Sequence, residues 1–194
     1  MKNKALILIG FQNDYFSKDG ILHDVIESEA SSVLTHTLNL IDSLVETNTL
    51  MISTPIVFTE NYEELESPVG ILKMIKDSQA FKKGNGSEII PEILEYGDRI
   101  QNVPGKRGLN AFSNTALDEI LKKGDVQEVI LAGVVTSICI DSTARSAHEK
   151  GYRVVVLKDC TGARTPFEQD FYFENIFPLY ANVMNSEELI KNLK

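Results

Sequence analysis

The sequence predicts one doubly wound α/β domain, a parallel sheet with helices on both faces in three layers. Three observations predict it. Six short strand-like runs alternate with helical patterns, the order that a parallel sheet with right-handed crossovers requires. Several of those runs are continuously apolar rather than alternating, as strands covered on both faces are. The chain has 194 residues, 43% hydrophobic and 24% charged, enough for one domain, 1–194, with a full core and no compositional sign of disorder.

Each element follows in order. Residues 5–9, within "MKNKALILIG", form an apolar run too short for a signal-peptide core. "FQNDYF" follows without a small-residue cleavage site, so the run reads as a buried strand. Residues 28–47 carry Val33, Leu34, Leu38, Ile41, Leu44 and Val45 at spacings of three and four, the apolar stripe of a helix. Residues 50–58 and 99–103 are the next strands. Between them, residues 60–90 are the least regular stretch, with "SPVG" and "KKGNGSE" as turn signals. This stretch reads as a lid or interface segment and not as a separate domain. Residues 114–123 carry Leu117, Ile120 and Leu121 before Gly124, a helix with a C-terminal stop. Strands at 128–132, 153–157 and 181–184 alternate with helices at 136–150, 166–177 and 186–193. The helix at 136–150 carries Ile140, Ala144 and Ala147 and ends at Gly151.

Charge and composition exclude several function classes. Lys plus Arg total 19 and Asp plus Glu total 28, a net charge of −9; such a chain repels phosphate backbones, which argues against nucleic-acid binding. The apolar runs are far short of a membrane span. Two cysteines, Cys139 and Cys160, are too few for a disulfide framework. The expectation is a cytoplasmic protein with reduced thiols.

In open doubly wound sheets, ligands bind beyond the carboxyl ends of strands where strand order reverses. Two predicted strand ends carry polar or reactive residues. In "LILIGFQNDYF", Gly10, Gln12, Asn13 and Asp14 follow a buried strand. In "VILAGVVTSICIDSTARSAHEKGYRVVVLKD", Gly133 ends a strand, Thr136 is placed to cap the next helix, and Cys139 falls in that helix's first turn. The first N–H groups of a helix lack internal partners and favour negative charge, so a thiolate there is stabilised and a forming oxyanion can be held. Against this stands the common role of free cysteine as a small buried hydrophobe; Cys160 fits that role better. Lys106, in the turn "VPGKRGLNAFSNT", would favour ionisation of a nearby thiol. Taken alone it also reads as an ordinary solvated loop lysine.

Together these segments resemble the isochorismatase-like cysteine hydrolases, a family that includes nicotinamidases and carbamoylsarcosine and ureidoacrylate amidohydrolases. The resemblance is strongest at "ALILIGFQNDYF", "GKRGLNAFSNTALDEIL" and "AGVVTSICIDSTARSAHEKGYRVVVLKDC". It implies a sheet in the order 3-2-1-4-5-6 and an Asp–Lys–Cys triad, with Cys139 as nucleophile and Lys106 as the lysine. It further implies a cis peptide between Val134 and Val135, with the N–H groups of Val135 and Cys139 as the oxyanion hole. Tyr15, Phe112 and Val134 are implied pocket residues, for which ordinary core packing is the competing reading. A small-molecule substrate and a homo-oligomer, dimer or tetramer, are implied too.

Two departures stand out. The triad Asp corresponds to Gly10, which has no side chain to move a proton. General acid–base help is worth about 10²–10⁴-fold in rate, so its loss matters. Three explanations stay open: an engineered substitution, a compensating carboxylate such as Glu60, or a ligand-binding protein without catalysis. Asp14 corresponds to a structural residue of the turn. The second departure concerns metal. The stretch "TENYEELESPVG" has no histidine, and His23, His36 and His148 are scattered, so no metal or other cofactor is expected. The resulting expectation is a cysteine-dependent hydrolase of a small amide, ureido or carbamoyl C–N bond. The alternatives are a catalytically silent binder and a vinyl-ether hydrolase, the last weakened because it leans on the missing Asp.

Overall fold

The computed structural model describes residues 3–192. A single six-stranded sheet runs β3-β2-β1-β4-β5-β6, the order the resemblance implies. Its strands are β1 (Asn3–Ile9), β2 (Leu50–Ser53), β3 (Gln101–Asn102), β4 (Val126–Val134), β5 (Arg153–Gly162) and β6 (Asn182–Met184). Every neighbouring pair is parallel. The helices are α1 (Asn13–Phe16), α2 (Glu27–Leu44), α3 (Gly70–Ser78), α4 (Pro91–Leu94), α5 (Leu117–Lys123), α6 (Asp141–Glu149), α7 (Pro166–Phe171) and α8 (Ser186–Lys191).

The apolar runs form strands because both faces of the central sheet are covered. In β1, Ala5, Ile7 and Ile9 join one core with Leu117 and Leu121 of α5 and Ala144 and Ala147 of α6. Leu6 and Leu8 join the other, with Val33, Leu40, Ile41 and Leu44 of α2 and Leu189 of α8. This is the two-residue alternation of a strand, with both sets apolar. Each fully buried Leu or Ile contributes about 1.5–3 kcal/mol by leaving water. A third, smaller cluster of Tyr15, Ile26, Ile56, Phe58, Phe81, Val134 and others caps the carboxyl ends of the central strands.

The structure corrects several sequence expectations. The strand expected over 50–58 stops at Ser53. Beyond Pro55 the chain leaves the sheet, and Ile56 and Phe58 form isolated bridges with Lys106 and Lys82. The strand expected over 99–103 keeps only Gln101–Asn102, an exposed edge. Within 60–90 lies α3, a helix the sequence pattern did not show, with only Ile75 buried. The helix expected over 136–150 opens with a π-helical turn, Thr136–Ile140, before α6. The one expected over 166–177 passes from α7 into a second π-helical segment, Tyr172–Ile176. The last helix ends at Lys191; Leu193, its expected end, lies outside the described residues. Among the described residues no helix is long and apolar enough to cross a membrane.

Candidate active site

The site lies where β1 and β4 run side by side and the sheet's order reverses, the place doubly wound folds reserve for ligands. Glycines allow the two strand ends to approach. Gly133 has φ +124°, and a Cβ there would fall 1.8 Å from the carbonyl oxygen of Ile9. Gly10 has φ +76°, and a Cβ would fall 2.8 Å from the Val134 oxygen and 3.0 Å from its Cγ2. Both positions therefore demand glycine on backbone and steric grounds. The Val134–Val135 peptide is cis.

Cys139 sits in the π-helical turn after β4, buried at 4% exposure. Lys106, at 1% exposure, donates from Nζ to Cys139 Sγ at 3.4 Å. Burial pulls the lysine below its ordinary value, and its contact with Cys139 works the other way. No carboxylate oxygen among the described residues lies within ion-pair distance of Lys106, whose recorded polar contact is the sulfur. Tyr15, buried on α1, is close enough to feel the same sulfur: burial first, then the charges of Cys139 and Asp14, push its phenol above the usual range.

Neighbouring side chains hold this pair in place. Gln12 donates from Nε2 to the carbonyls of Ile56 and Ser87, both at 2.7 Å, and accepts from the Ile56 N–H at 2.9 Å. It thereby fixes the segment that bridges to Lys106. Downstream of Lys106, the Ala111 N–H donates to Thr143 Oγ1 at 3.0 Å, and Asn110 pairs with Ser146, anchoring the loop to α6. Thr136 does not cap the helix with its side chain. Its hydroxyl instead donates to Gln169 Oε1 at 2.7 Å, and Gln169 Nε2 donates to the carbonyls of Lys158 and Thr161. Gln169 of α7 thus ties the cysteine's turn to β5. Sequence reading missed the roles of Gln12 and Gln169, because an isolated glutamine carries no spacing signal.

The other candidates separate. Val134 and Val135 are fully buried in the capping cluster beside Tyr15. Glu60 does not compensate for Gly10: it is exposed and ion-paired with Lys82. Asp14 is committed to the turn, accepting from the Phe81 N–H at 2.5 Å. Phe112 stays away from the sulfur, stacked on Tyr152 (6.1 Å) with Lys150 Nζ 5.5 Å above its ring. Tyr152 precedes β5, so that stack lies at the sheet's opposite end. Cys160 is fully buried; burial and then the adjacent Asp159 push its thiol up to about 12. His23 Nδ1 lies 2.8 Å from the Tyr15 carbonyl oxygen, and no three His, Cys, Asp or Glu side chains cluster as a metal site among the described residues.

A cavity of about 230 Å³ adjoins the turn, lined by Tyr15, Leu22, Ile71, Met74, Val135 and Ile138 among others. Its walls are mainly apolar, and Val135 and Ile138 belong to the same stretch as Cys139. A groove of about 850 Å³ continues past Ile138 and Ile71 to Phe167 and Phe171.

Comparison with known proteins agrees with this architecture. The family pattern described as the isochorismatase domain matches residues 4–188. Nicotinamidase 3 of Arabidopsis thaliana is 29% identical over 99% of this chain and 89% of its own length. Ureidoacrylate amidohydrolase RutB of Cronobacter sakazakii is 26% identical over 90% of this chain and 82% of its own. Among solved structures, an isochorismatase-like hydrolase from Alkaliphilus metalliredigens superposes with a TM-score of 0.82 at 22% identity, covering 100% of this chain and 99% of that one. N-carbamoylsarcosine amidase from Thermoplasma acidophilum gives 0.75 at 21% identity, covering 96% and 98%. The chain belongs to the isochorismatase family of hydrolases.

Proposed function

We propose that this chain hydrolyses a small amide, ureido or carbamoyl C–N bond through a covalent acyl-cysteine. The observation that carries the reading is the buried Lys106–Cys139 contact at 3.4 Å, in a turn whose Val135 and Ile138 line a cavity. The thiolate of Cys139 attacks the carbonyl carbon, the C–N bond breaks, and water releases the acid from the thioester. Lys106 supports the thiolate by charge, and the N–H groups of Val135 and Cys139 are assigned to the developing oxyanion. The cavity next to the turn is mainly apolar with Arg164 at its wall, which suits a small substrate with an apolar body and an acceptor or negative group. The names of the relatives, nicotinamidase and ureidoacrylate amidohydrolase, support the bond class and not the particular substrate.

The test is intact-mass detection of acyl adducts on Cys139 across a panel of small amides, ureides and carbamoyl compounds, with product release followed in parallel. Adducts that vanish in Cys139→Ala are expected. No adduct and no turnover across the panel, with thermal stabilisation by some of the compounds, would favour a second reading: a silent binder on the same fold. Gly10 motivates that alternative. Its left-handed backbone and close packing on Val134 support a site built around glycine rather than one from which an acid was removed. Free Cys139 and Cys160 suit a reducing cytoplasm. The exposed apolar side chains Val69, Met74, Phe167 and Phe171 are assigned to contact with a second copy, to be checked by light scattering.

A further inference from the structure

We infer that Lys106 is not only a fixed charge but the proton carrier of the reaction, so that Cys139 and Lys106 form a two-residue catalytic dyad. The inference rests on the proposed amide hydrolysis and deepens it. Three structural facts lead to it. Lys106 Nζ and Cys139 Sγ are in direct contact at 3.4 Å, and both side chains are more than nine-tenths buried. Position 10 offers no acid, and the Val134 carbonyl packs so closely against it that a Cβ would lie 2.8 Å from the oxygen. The nearby carboxylates are committed elsewhere: Asp14 to the Phe81 N–H, Glu60 to Lys82, and Glu64 to Arg107 at 3.8 Å and to Thr59. Across from the pair, Tyr15 is held neutral by burial and the charges around it.

An amine kept in such surroundings loses the solvation that ordinarily holds it as an ammonium, which eases exchange of its proton. The lysine then serves in both halves of the cycle, as in serine–lysine hydrolases. The Nζ lone pair takes the thiol proton, giving thiolate and ammonium. Sulfur bonds to the carbonyl carbon and the π pair moves to oxygen. The carbonyl re-forms, the C–N bond breaks, and the ammonium proton passes to the departing nitrogen. Nζ next takes a proton from water as its oxygen attacks the thioester, the C–S bond breaks, and the thiolate–ammonium pair returns. Amide and water are consumed, and acid and amine are released.

Two arms test the dyad. In Lys106→Arg the charge persists but the side chain does not give up a proton at ordinary pH. Amide turnover should fall about 10²–10⁴-fold, and the acylation burst with a 4-nitrophenyl ester, whose leaving group needs no proton but whose attack still needs the thiolate, should fall by a smaller factor. Amide turnover retained within about tenfold would overturn the dyad. The second arm needs neither a substrate nor a change at position 106. Protein labelled with ¹³Cε-lysine is titrated by NMR in the unmodified sequence, with the Cys139 sulfur in place. Lys106 should deprotonate below the ordinary lysine value of about 10.4; a Lys106 signal that stays protonated up to that value overturns the inference. This arm also decides the case if Lys106→Arg fails to fold or loses ester and amide activity alike. If the unmodified chain turns over no amide, the proposed function falls, whereas the titration still reads the dyad.

Discussion

Cys139 and Cys160 lie near the carboxyl ends of neighbouring strands, both buried and both free, yet they meet opposite neighbours. Cys160 is followed by no helix start and preceded by Asp159, and its thiol is held protonated up to about 12. Cys139 stands in a π-helical turn with the ammonium donor of Lys106 at 3.4 Å. Burial alone silences a thiol, whereas burial beside an amine gives its proton somewhere to go, and the ammonium so formed holds the thiolate. Depth does not separate the two sites. The sign of the nearest charge does, and the loop that follows the edge strand β3 supplies it.

The sharpest way to break this comparison is to remove each sulfur in turn. Cys139→Ala should lower turnover on the order of 10⁴-fold or more and abolish labelling by iodoacetamide under native conditions, mapped by peptide mass. Cys160→Ala should keep turnover within about twofold and lose about 1 kcal/mol of stability from the small cavity left. Labelling that favours Cys160 would reverse the assignment.

Gly10→Asp comes next. A side chain at φ +76° and 2.8 Å from the Val134 oxygen should cost about 1–3 kcal/mol in urea denaturation without raising the rate. A gain in turnover would show that the strand end tolerates the acid after all.

Alkaline stability sharpens the contrast further, because the two groups pull in opposite directions. Lys106 has a lowered value in the fold, so at pH values between its folded and ordinary values the unfolded chain binds more protons and stability rises with pH. Cys160 is raised from 9.0 to about 12. Across that interval the folded chain holds the extra proton, so Cys160's stabilisation is complete below 9.0 and fades as pH climbs towards 12. Lys106→Met should erase the rise and Cys160→Ala the fall, both read from urea midpoints against pH. The smallest effect is expected for Phe112→Ala. KM should be unchanged within about twofold and stability should drop by about 1–2 kcal/mol, because the ring packs on Tyr152 away from the sulfur.

The central strands were legible because burial on both faces writes a continuous apolar run, as in Leu6–Ile9 and Val129–Ala132. The edges were not. β3 keeps two exposed residues, and the run after Ser53 is apolar because it covers the site, not because it lies in the sheet. Helix α3 was missed since one buried residue, Ile75, writes no period. At the site, Cys139 and Lys106 were readable through their motifs, and the structure brings them into contact. Glu60 was assigned by its place after a predicted strand and Phe112 by the family resemblance, and both meet other partners. The contributions of Gln12 and Gln169 depend on which distant carbonyls they meet, which one-dimensional order does not record.

The seating of Gly10 against Val134 has a consequence for redesign. A single codon change to an acidic residue would collide with a main-chain oxygen on the adjoining strand, so an acid at this strand end needs the neighbouring backbone to retreat at the same moment. Variants selected for speed should therefore carry changes around the lysine and sulfur already in contact before they carry a carboxylate at position 10.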